Sequence, residues 1–279
     1  MRTILVFGAS GPVGRFLLPA LASLYSVIPV SRTARSGWLR ADLSDAQSAW
    51  PEADAAISLG PLDAFAAWLM ANPHIALIRV IALSSMSADS KRDSIDDHER
   101  ALSERLIASE ALLRAAADSR NIALTIFRPT LIYGGGTDRS LAPIARWMRR
   151  WHLMPWPLGA TGLRQPVHAA DLASACVAAM ENTATHGTIY ALGGGERLPF
   201  DEMLFRMRAE IVPWSVPVPL PIAVLSVIGR FTDRVPIGAA AIRRLRVPLI
   251  ADNQPATRDF GFSPRPFAAG DVLAADERR

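Results

Sequence analysis

The chain has 279 residues, half of them hydrophobic and a fifth charged, with a formal net charge of +4 and a pI near 9.9. That length buries a sizeable core as one domain or one and a half, and the single Cys176 excludes a disulfide framework and a cysteine zinc site. The five histidines lack metal-ligand spacing, so no metal is expected, and no nucleic-acid motif accompanies the basic pairs Arg149-Arg150 and Arg243-Arg244, which read as solvated helix faces.

The first element is the most informative. Residues 4–14 run Ile-Leu-Val-Phe-Gly-Ala-Ser-Gly-Pro-Val-Gly, an apolar run that ends in three glycines spaced three apart. A helical pattern follows at Val13, Phe16, Leu17, Ala20, Leu21 and Leu24. Strand, glycine-rich turn and helix in this order are the phosphate-binding start of a Rossmann unit. Gly8 permits a sharp turn off the strand, Gly11 a close backbone approach to a pyrophosphate, and Gly14 tight packing of helix on strand. The helix N-terminus, with its unpaired N–H groups and positive dipole end, then faces an anion. Gly8, Ser10, Gly11, Pro12, Val13 and Gly14 are therefore expected to hold a dinucleotide.

Strands are predicted at 3–7, 26–30, 38–41, 54–59, 77–84 and 121–127, with helices at 12–24, 44–50, 62–71 and 96–119. This alternation predicts an α/β fold, a doubly wound parallel sheet of order 3-2-1-4-5-6 covered on both faces. Strand 2 ends in Ser31-Arg32-Thr33, without the acid that bonds adenosine ribose hydroxyls in NAD sites. Arg32 suits a 2′-phosphate, so NADP is expected over NAD, although a surface arginine reads the same way. Asp42, followed by Leu43, is placed either to accept from the adenine amino group or to cap a helix near Ser44. Leu59, Gly60 and Pro61, closing strand 4, are expected beside the ribose and pyrophosphate.

After Arg128 the texture changes. Pro129, Gly134-Gly135-Gly136 and a Trp/Pro-rich segment at 147–157 break the alternation. Helix 138–150, a strand near 163–168, helix 169–182, a strand at 187–191 and helix 199–210 are predicted. Residues 213–221 are proline-rich, 222–247 read as helical and 253–266 as irregular. The chain thus divides into a dinucleotide-binding domain at 1–128 and a smaller interleaved lobe at 129–279, which lies over the crevice. Cys176 sits in an apolar helical stretch and reads as a packed thiol. The N-terminus enters a strand directly, without a leader, and the longest apolar stretch (Ser215 to Gly229) contains three prolines. No signal peptide or membrane span is expected, and the location expected is cytoplasmic.

Taken together, the glycine loop, Asp42, Ser84-Ser85 after strand 5, Arg128-Pro129-Thr130-Leu131-Ile132-Tyr133-Gly134, Pro166-Val167-His168-Ala169-Ala170-Asp171-Leu172-Ala173 and Tyr190-Ala191-Leu192-Gly193-Gly194 resemble the short-chain dehydrogenase/reductase superfamily in its extended and atypical branches. Arg128 and Pro129 then join the cofactor set, Ser84 or Ser85 would bind the reacting oxygen, and Arg164, Gln165 and His168 fall where the extended branch contacts its substrate. An arginine and a glutamine there suit an anionic or sugar-like ligand. Pairing of two copies through the helix at 96–119 is also implied.

The resemblance implies a catalytic tyrosine with a lysine four residues later. Y-x-x-x-K occurs nowhere in the chain: Pro29, Thr137 and Gly194 follow the three tyrosines at that spacing. If Glu110 matches the acid often found four residues beyond the lysine, Leu102 and Leu106 stand in for the pair; they read equally as core leucines. General acid/base help of about 10²–10⁴-fold would then need another group. Tyr133 and His98 are the candidates, and each also has a structural reading as a packing or a surface residue. The segment Asp259 to Phe267 resembles the tail of atypical members related to an accessory subunit of respiratory complex I, which lack the pair and keep the nucleotide. The function expected is an NADP-dependent oxidoreductase or sugar-epimerase-like enzyme with an altered centre, because the crevice polar set Ser84, Arg128, Tyr133, Arg164 and His168 is richer than scaffolding needs; the alternative is a non-catalytic NADP-binding scaffold or redox-sensing assembly protein.

Overall fold

The computed structural model describes residues 1–45, 48–221 and 244–274. Seven parallel strands form the central sheet: β1 (Thr3–Phe7), β2 (Ser26–Ser31), β3 (Leu39–Arg40), β4 (Ala55–Ser58), β5 (Arg79–Leu83), β6 (Ala123–Pro129) and β11 (Thr188–Leu192). Their order is β3-β2-β1-β4-β5-β6-β11, the doubly wound order with one strand added beside β6. Strands buried on both faces need apolar residues at every position. Accordingly Ile4 and Val6 join the core on one face, Leu5 and Phe7 the core on the other, and none of the four is more than 1% exposed.

Helices α1 (Pro12–Ala22) and α6 (Ala169–Met180) pack together over the first face, and α2 (Leu62–Ala71) and α4 (Asp97–Ser119) over the second. Both α6 and β11 come from the second half of the chain, so that half completes the central sheet. The remaining elements include α3 (Ser87–Ser90), α5 (Ala142–Trp151), α7 (Phe200–Ile211) and α8 (Gln254–Phe260). Short strand pairs join them: β7 (Ile132–Tyr133) with β10 (Val167–His168), β9 (Leu163–Arg164) with β12 (Leu198–Pro199), and β8 (Leu153–Pro157) with β13 (Val216–Leu220). A third core, containing Met148, Met154, Met203, Met207 and Phe267, sits beneath α5 and α7.

Several expectations need correction. No helix forms at 44–50 among the described residues; Asp42 Oδ1 instead accepts from the Ser44 N–H (3.0 Å) and Ser44 Oγ (2.8 Å), an Asx turn that competes with helix. The strand near 163–168 is two short strands on different partners. Residues 253–266 are not irregular throughout: Pro255 in the first turn and Gly261 at φ +71° delimit α8. The proline-rich 213–221 contains β13, which runs parallel to β8 in a two-stranded edge that tolerates proline. Most of the helix read at 222–247 lies outside the described residues.

Sequence patterning gave no sign of Arg79. At 5% exposure it opens β5, and its guanidinium donates to the carbonyls of Ala123 (2.8 Å) and Ala179 (2.8 Å) and to the hydroxyls of Thr125 (2.7 Å) and Thr185 (2.9 Å). It ties β5, β6 and the C-terminal end of α6 together. Burial lowers its pKa to about 10, and it remains a cation at neutral pH. Arg79→Met leaves several of these buried groups without a partner. A stability loss of about 3 kcal/mol is expected in urea denaturation at pH 7; a loss below about 1 kcal/mol would contradict this role.

Candidate functional site

The carboxyl ends of β1, β2, β4 and β5 open onto one crevice edge. Gly8 leaves β1 at φ +69°, and a Cβ there would lie 2.6 Å from the Gly60 nitrogen. The loops after β1 and β4 therefore cross in backbone contact, and neither turn strain nor space admits a side chain at Gly8. The Gly11 N–H donates back to Gly8 O (3.0 Å), and a Cβ on Gly14 would sit 2.1 Å from Ala9 O. Helix α1 begins here with Gly11 as its N-cap, without a side-chain cap and without an acid in its first turn. By contrast, α4 is capped by Asp96 and α6 by His168. The N-terminus of α1 thus offers backbone donors and a positive dipole end without an internal counter-charge.

Around this loop lie Ser31 and the exposed Arg32 at the end of β2, then Asp42 and Leu43. The Asp42 carboxyl is held below its usual range by the Ser44 backbone bond and hydroxyl, with Arg32 adding a smaller effect. Pro61 is the N-cap of α2. On the far side, a cleft of about 200 Å³ is lined by Gly60, Pro61, Leu83, Ser84, Leu102 and Leu106, among others. The two leucines singled out by their spacing from Glu110 therefore share one wall, facing Ser84.

Ser84 Oγ donates to Glu110 Oε1 at 2.5 Å. Glu110, 4% exposed, also receives Arg128 Nε (2.9 Å) and Nη2 (2.5 Å), and Arg128 Nη1 reaches Asp89 Oδ2 (2.7 Å). These bonds to Glu110 outweigh desolvation and raise the Arg128 pKa. Ser85 Oγ accepts from the Ser87 N–H (3.1 Å) at the start of α3. Pro129 is the last residue of β6, and its carbonyl accepts from the Met86 N–H (3.0 Å). His98 is exposed on the first turn of α4, away from these groups in hydrogen bonding.

The second-half candidates are engaged in holding the fold. Tyr133 is fully buried, donates to Pro266 O (3.4 Å), accepts from the Ala268 N–H (3.0 Å), and packs edge-on to His168 and Phe267. Burial pushes its pKa up to about 12, so it does not exchange protons near neutrality. Its partners belong to the C-terminal strap, which Asp171 also grips through the backbone N–H (3.0 Å) and Nε (2.9 Å) of Arg265. His168 Nδ1 accepts from the Ala170 N–H (3.1 Å), which assigns the ring proton to Nε2. Gly134, at φ +93°, lies against that ring: a Cβ there would be 2.3 Å from Nε2.

Arg164 donates to the carbonyls of Leu163, Val247 and Arg244 (2.9, 2.9 and 2.6 Å). Gln165 Nε2 donates to Gly194 O (2.8 Å), while its Oε1 accepts from the Ala251 N–H (2.8 Å). Asp138 Oδ1 accepts from the N–H groups of Ser140, Leu141 and Ala142, where the loop from Gly134 enters α5. Sequence reasoning missed Asp89 and Glu196 as site supports. Glu196 accepts from the strap at the Phe267 N–H (3.3 Å), and no motif marks either residue.

The class these features define is an α/β protein of Rossmann type with an open first-helix terminus at the crevice. Residues 79–193 match the NAD dependent epimerase/dehydratase family. That match overlaps several of the segments whose motifs resemble the short-chain dehydrogenase/reductase superfamily. A curated relative, the mitochondrial NADH dehydrogenase [ubiquinone] 1 alpha subcomplex subunit 9 of Arabidopsis thaliana, is 32% identical over 158 residues, 56% of this chain and 37% of that protein. The chain thus spans little more than a third of that relative's length. Solved structures of the same fold include UDP-glucuronic acid 4-epimerase from Bacillus cereus in complex with NAD (TM-score 0.73, 18% identity, 99% of this chain and 96% of that one). RMD from Pseudomonas aeruginosa complexed with NADPH scores 0.73 at 17% identity, covering all of both chains. UDP-glucose 4-epimerase from Thermotoga maritima with UDP-glucose scores 0.76 at 15% identity, covering 99% of each. Among the described residues, no group of His, Cys, Asp and Glu could hold a metal ion, and no helix is long and apolar enough to cross a membrane.

Burial lowers the His168 pKa, with the Arg265 charge adding to it. Its neutral form is the one the fold favours. The resulting stability is present above the unfolded value of about 6.5 and is lost as pH falls through that value towards the folded one. The unfolding midpoint should fall more steeply from pH 7 to pH 5 in the wild type than in His168→Asn, which retains a capping oxygen. Parallel curves would contradict this account.

Proposed function

We propose that this protein holds NADP(H) at the crevice beside α1 as a bound ligand and does not run the tyrosine–lysine chemistry of the enzymes it resembles. One observation carries the reading: the α1 N-terminus has neither a side-chain cap nor a first-turn acid, and the Gly8–Gly60 crossing admits no side chain at Gly8. The backbone N–H groups of Val13 and Gly14, in the first turn of α1, would take the diphosphate. Arg32 would pair with a 2′-phosphate, Asp42 and Leu43 would flank the adenine, and Leu59 to Pro61 the ribose. Relatives of the fold carry NAD or NADPH in their solved complexes, which supports this ligand class. A nicotinamide, when bound, supplies hydride transfer.

Proton transfer is the part for which this chain is poorly equipped. Leu102 and Leu106 line the wall opposite Ser84, and neither can exchange a proton. Tyr133 is buried and tied to the strap, and Arg164 is bonded to three carbonyls. The crevice polar set that favoured an enzyme is therefore largely committed to structure. Holding the nucleotide while docking to a partner is the function consistent with that commitment. A second reading rests on Ser84, whose hydroxyl lines the same cleft and donates to Glu110. There a serine–carboxylate pair would move the proton in an oxidoreductase or epimerase-like reaction on an anionic or sugar-like substrate.

Titration calorimetry with NADPH and NADH tests the binding. Binding of NADPH is expected to be tighter than that of NADH, with the preference reduced about tenfold or more in Arg32→Ser, and no heat is expected in Gly8→Val. Absence of heat with either nucleotide in the wild type would defeat the proposal. With binding established, NADPH oxidation over a panel of carbonyl compounds and nucleotide sugars separates the readings. No acceleration by any of them is expected, whereas an acceleration abolished in Ser84→Ala would establish the enzyme.

A further inference from the structure

Of the seven tryptophans, four are buried or half-buried; Trp147, Trp151 and Trp214 are 41, 57 and 63% exposed. Two of these lie on α5 and the third just ahead of β13, against the residue that ends α5. Trp147 and Trp151 lie one turn apart on α5, whose opposite face buries Ala142, Ala145 and Met148 against the third core. His152 ends α5 in the left-handed conformation at φ +56° and turns the chain into β8. Its ring lies 6.3 Å from that of Trp214, and its carbonyl accepts from the Val216 N–H (2.9 Å). Leu153 and Val216, paired across β8 and β13, are themselves 37 and 59% exposed. Exposed apolar side chains are ordinary singly, but a contiguous group of this size marks a surface that is covered in use.

The segments that carry the group bring charge of one sign. Residues 139–170 contain five arginines and no Asp or Glu, and residues 211–221 contain no charged side chain at all. Arg146, Arg149 and Arg150 lie on α5 among the indoles, and the Arg150 guanidinium sits 5.4 Å over the Trp151 ring. A folded protein partner normally presents both signs of charge, whereas an anionic bilayer presents phosphates continuously. Indoles favour the boundary between headgroups and acyl chains, where the ring is buried and the N–H stays hydrated. Arginine holds phosphate by bidentate bonds while its stem lies along apolar surface. An apolar centre with a cationic fringe on a helix too short to cross is the pattern of a peripheral membrane surface.

We propose that this face docks the protein on an anionic lipid surface, with Trp147, Trp151 and Trp214 entering the headgroup–acyl boundary and Arg149 and Arg150 binding lipid phosphates. The proposal is independent of nucleotide binding.

Sedimentation of the full chain with phosphatidylcholine vesicles, with and without added phosphatidylglycerol, tests it. Binding is expected only with phosphatidylglycerol, with a blue shift of tryptophan emission and a steep loss as salt is raised. Trp147→Ser/Trp151→Ser and Arg149→Glu/Arg150→Glu should each lower vesicle binding about tenfold or more. Both should leave the unfolding midpoint unchanged, and Arg114→Glu, an exposed charge on α4, should bind as the wild type does. No sedimentation with anionic vesicles would overturn the proposal, as would equal binding by the patch variants. So would a lipid-free oligomer that the tryptophan substitutions break into single chains, because a second copy would then be what covers the face.

Discussion

The crossing of two backbones at the carboxyl edge of the sheet governs the rest of the crevice. Gly8 and Gly60 approach so closely that a single methyl group on Gly8 would overlap the amide of Gly60. This contact brings the loop after β4 against the loop after β1, beside the uncapped first turn of α1. Gly14 acts one turn later, letting α1 settle on the carbonyl of Ala9. A helix end is ordinarily satisfied by a side-chain oxygen or a first-turn acid, and α1 has neither. That unanswered positive end is the physical basis of the proposed nucleotide site.

The second half of the chain explains why residues that look chemical are structural. Tyr133, His168 and Asp171 belong to motifs that resemble those of a reductase family, and all three hold the C-terminal strap or the start of α6. Tyr133 meets the backbone at Pro266 and Ala268, Asp171 takes Arg265, and His168 caps α6 beneath Gly134. Each of these motif residues therefore has a packing role of its own in the fold. The Ser84–Glu110–Arg128–Asp89 chain of bonds does the same at the ends of β5 and β6.

What was legible in the sequence follows from the range of each signal. The glycine spacing and the unbroken apolar strands are local, and they led to the α1 turn and the order of the first six strands, while the seventh, β11, was assigned to the second lobe. The failure at 44–50 arose from Asp42, whose carboxylate takes the Ser44 amide into a turn that helical periodicity does not register. The short helix at Gln254–Phe260 was hidden because prolines and glycine, usually breakers, here sit at its two ends. Arg79 and Arg164 were beyond reach for another reason. Their partners are mostly carbonyls, several of them tens of residues away, and no side-chain pattern records a carbonyl. Leu102 and Leu106 were placed by spacing from Glu110, and they do share one wall of the cleft.

Hydrogen-exchange mass spectrometry of the full chain with and without NADPH bears most directly on the central claim, that a dinucleotide rests on the bare amides of the α1 turn. The account predicts slowed exchange confined to residues 8–15, 31–33 and 58–61, with the strap at 264–268 unchanged. Unaltered exchange through the glycine turn under saturating NADPH, or protection only at segments remote from it, would contradict it.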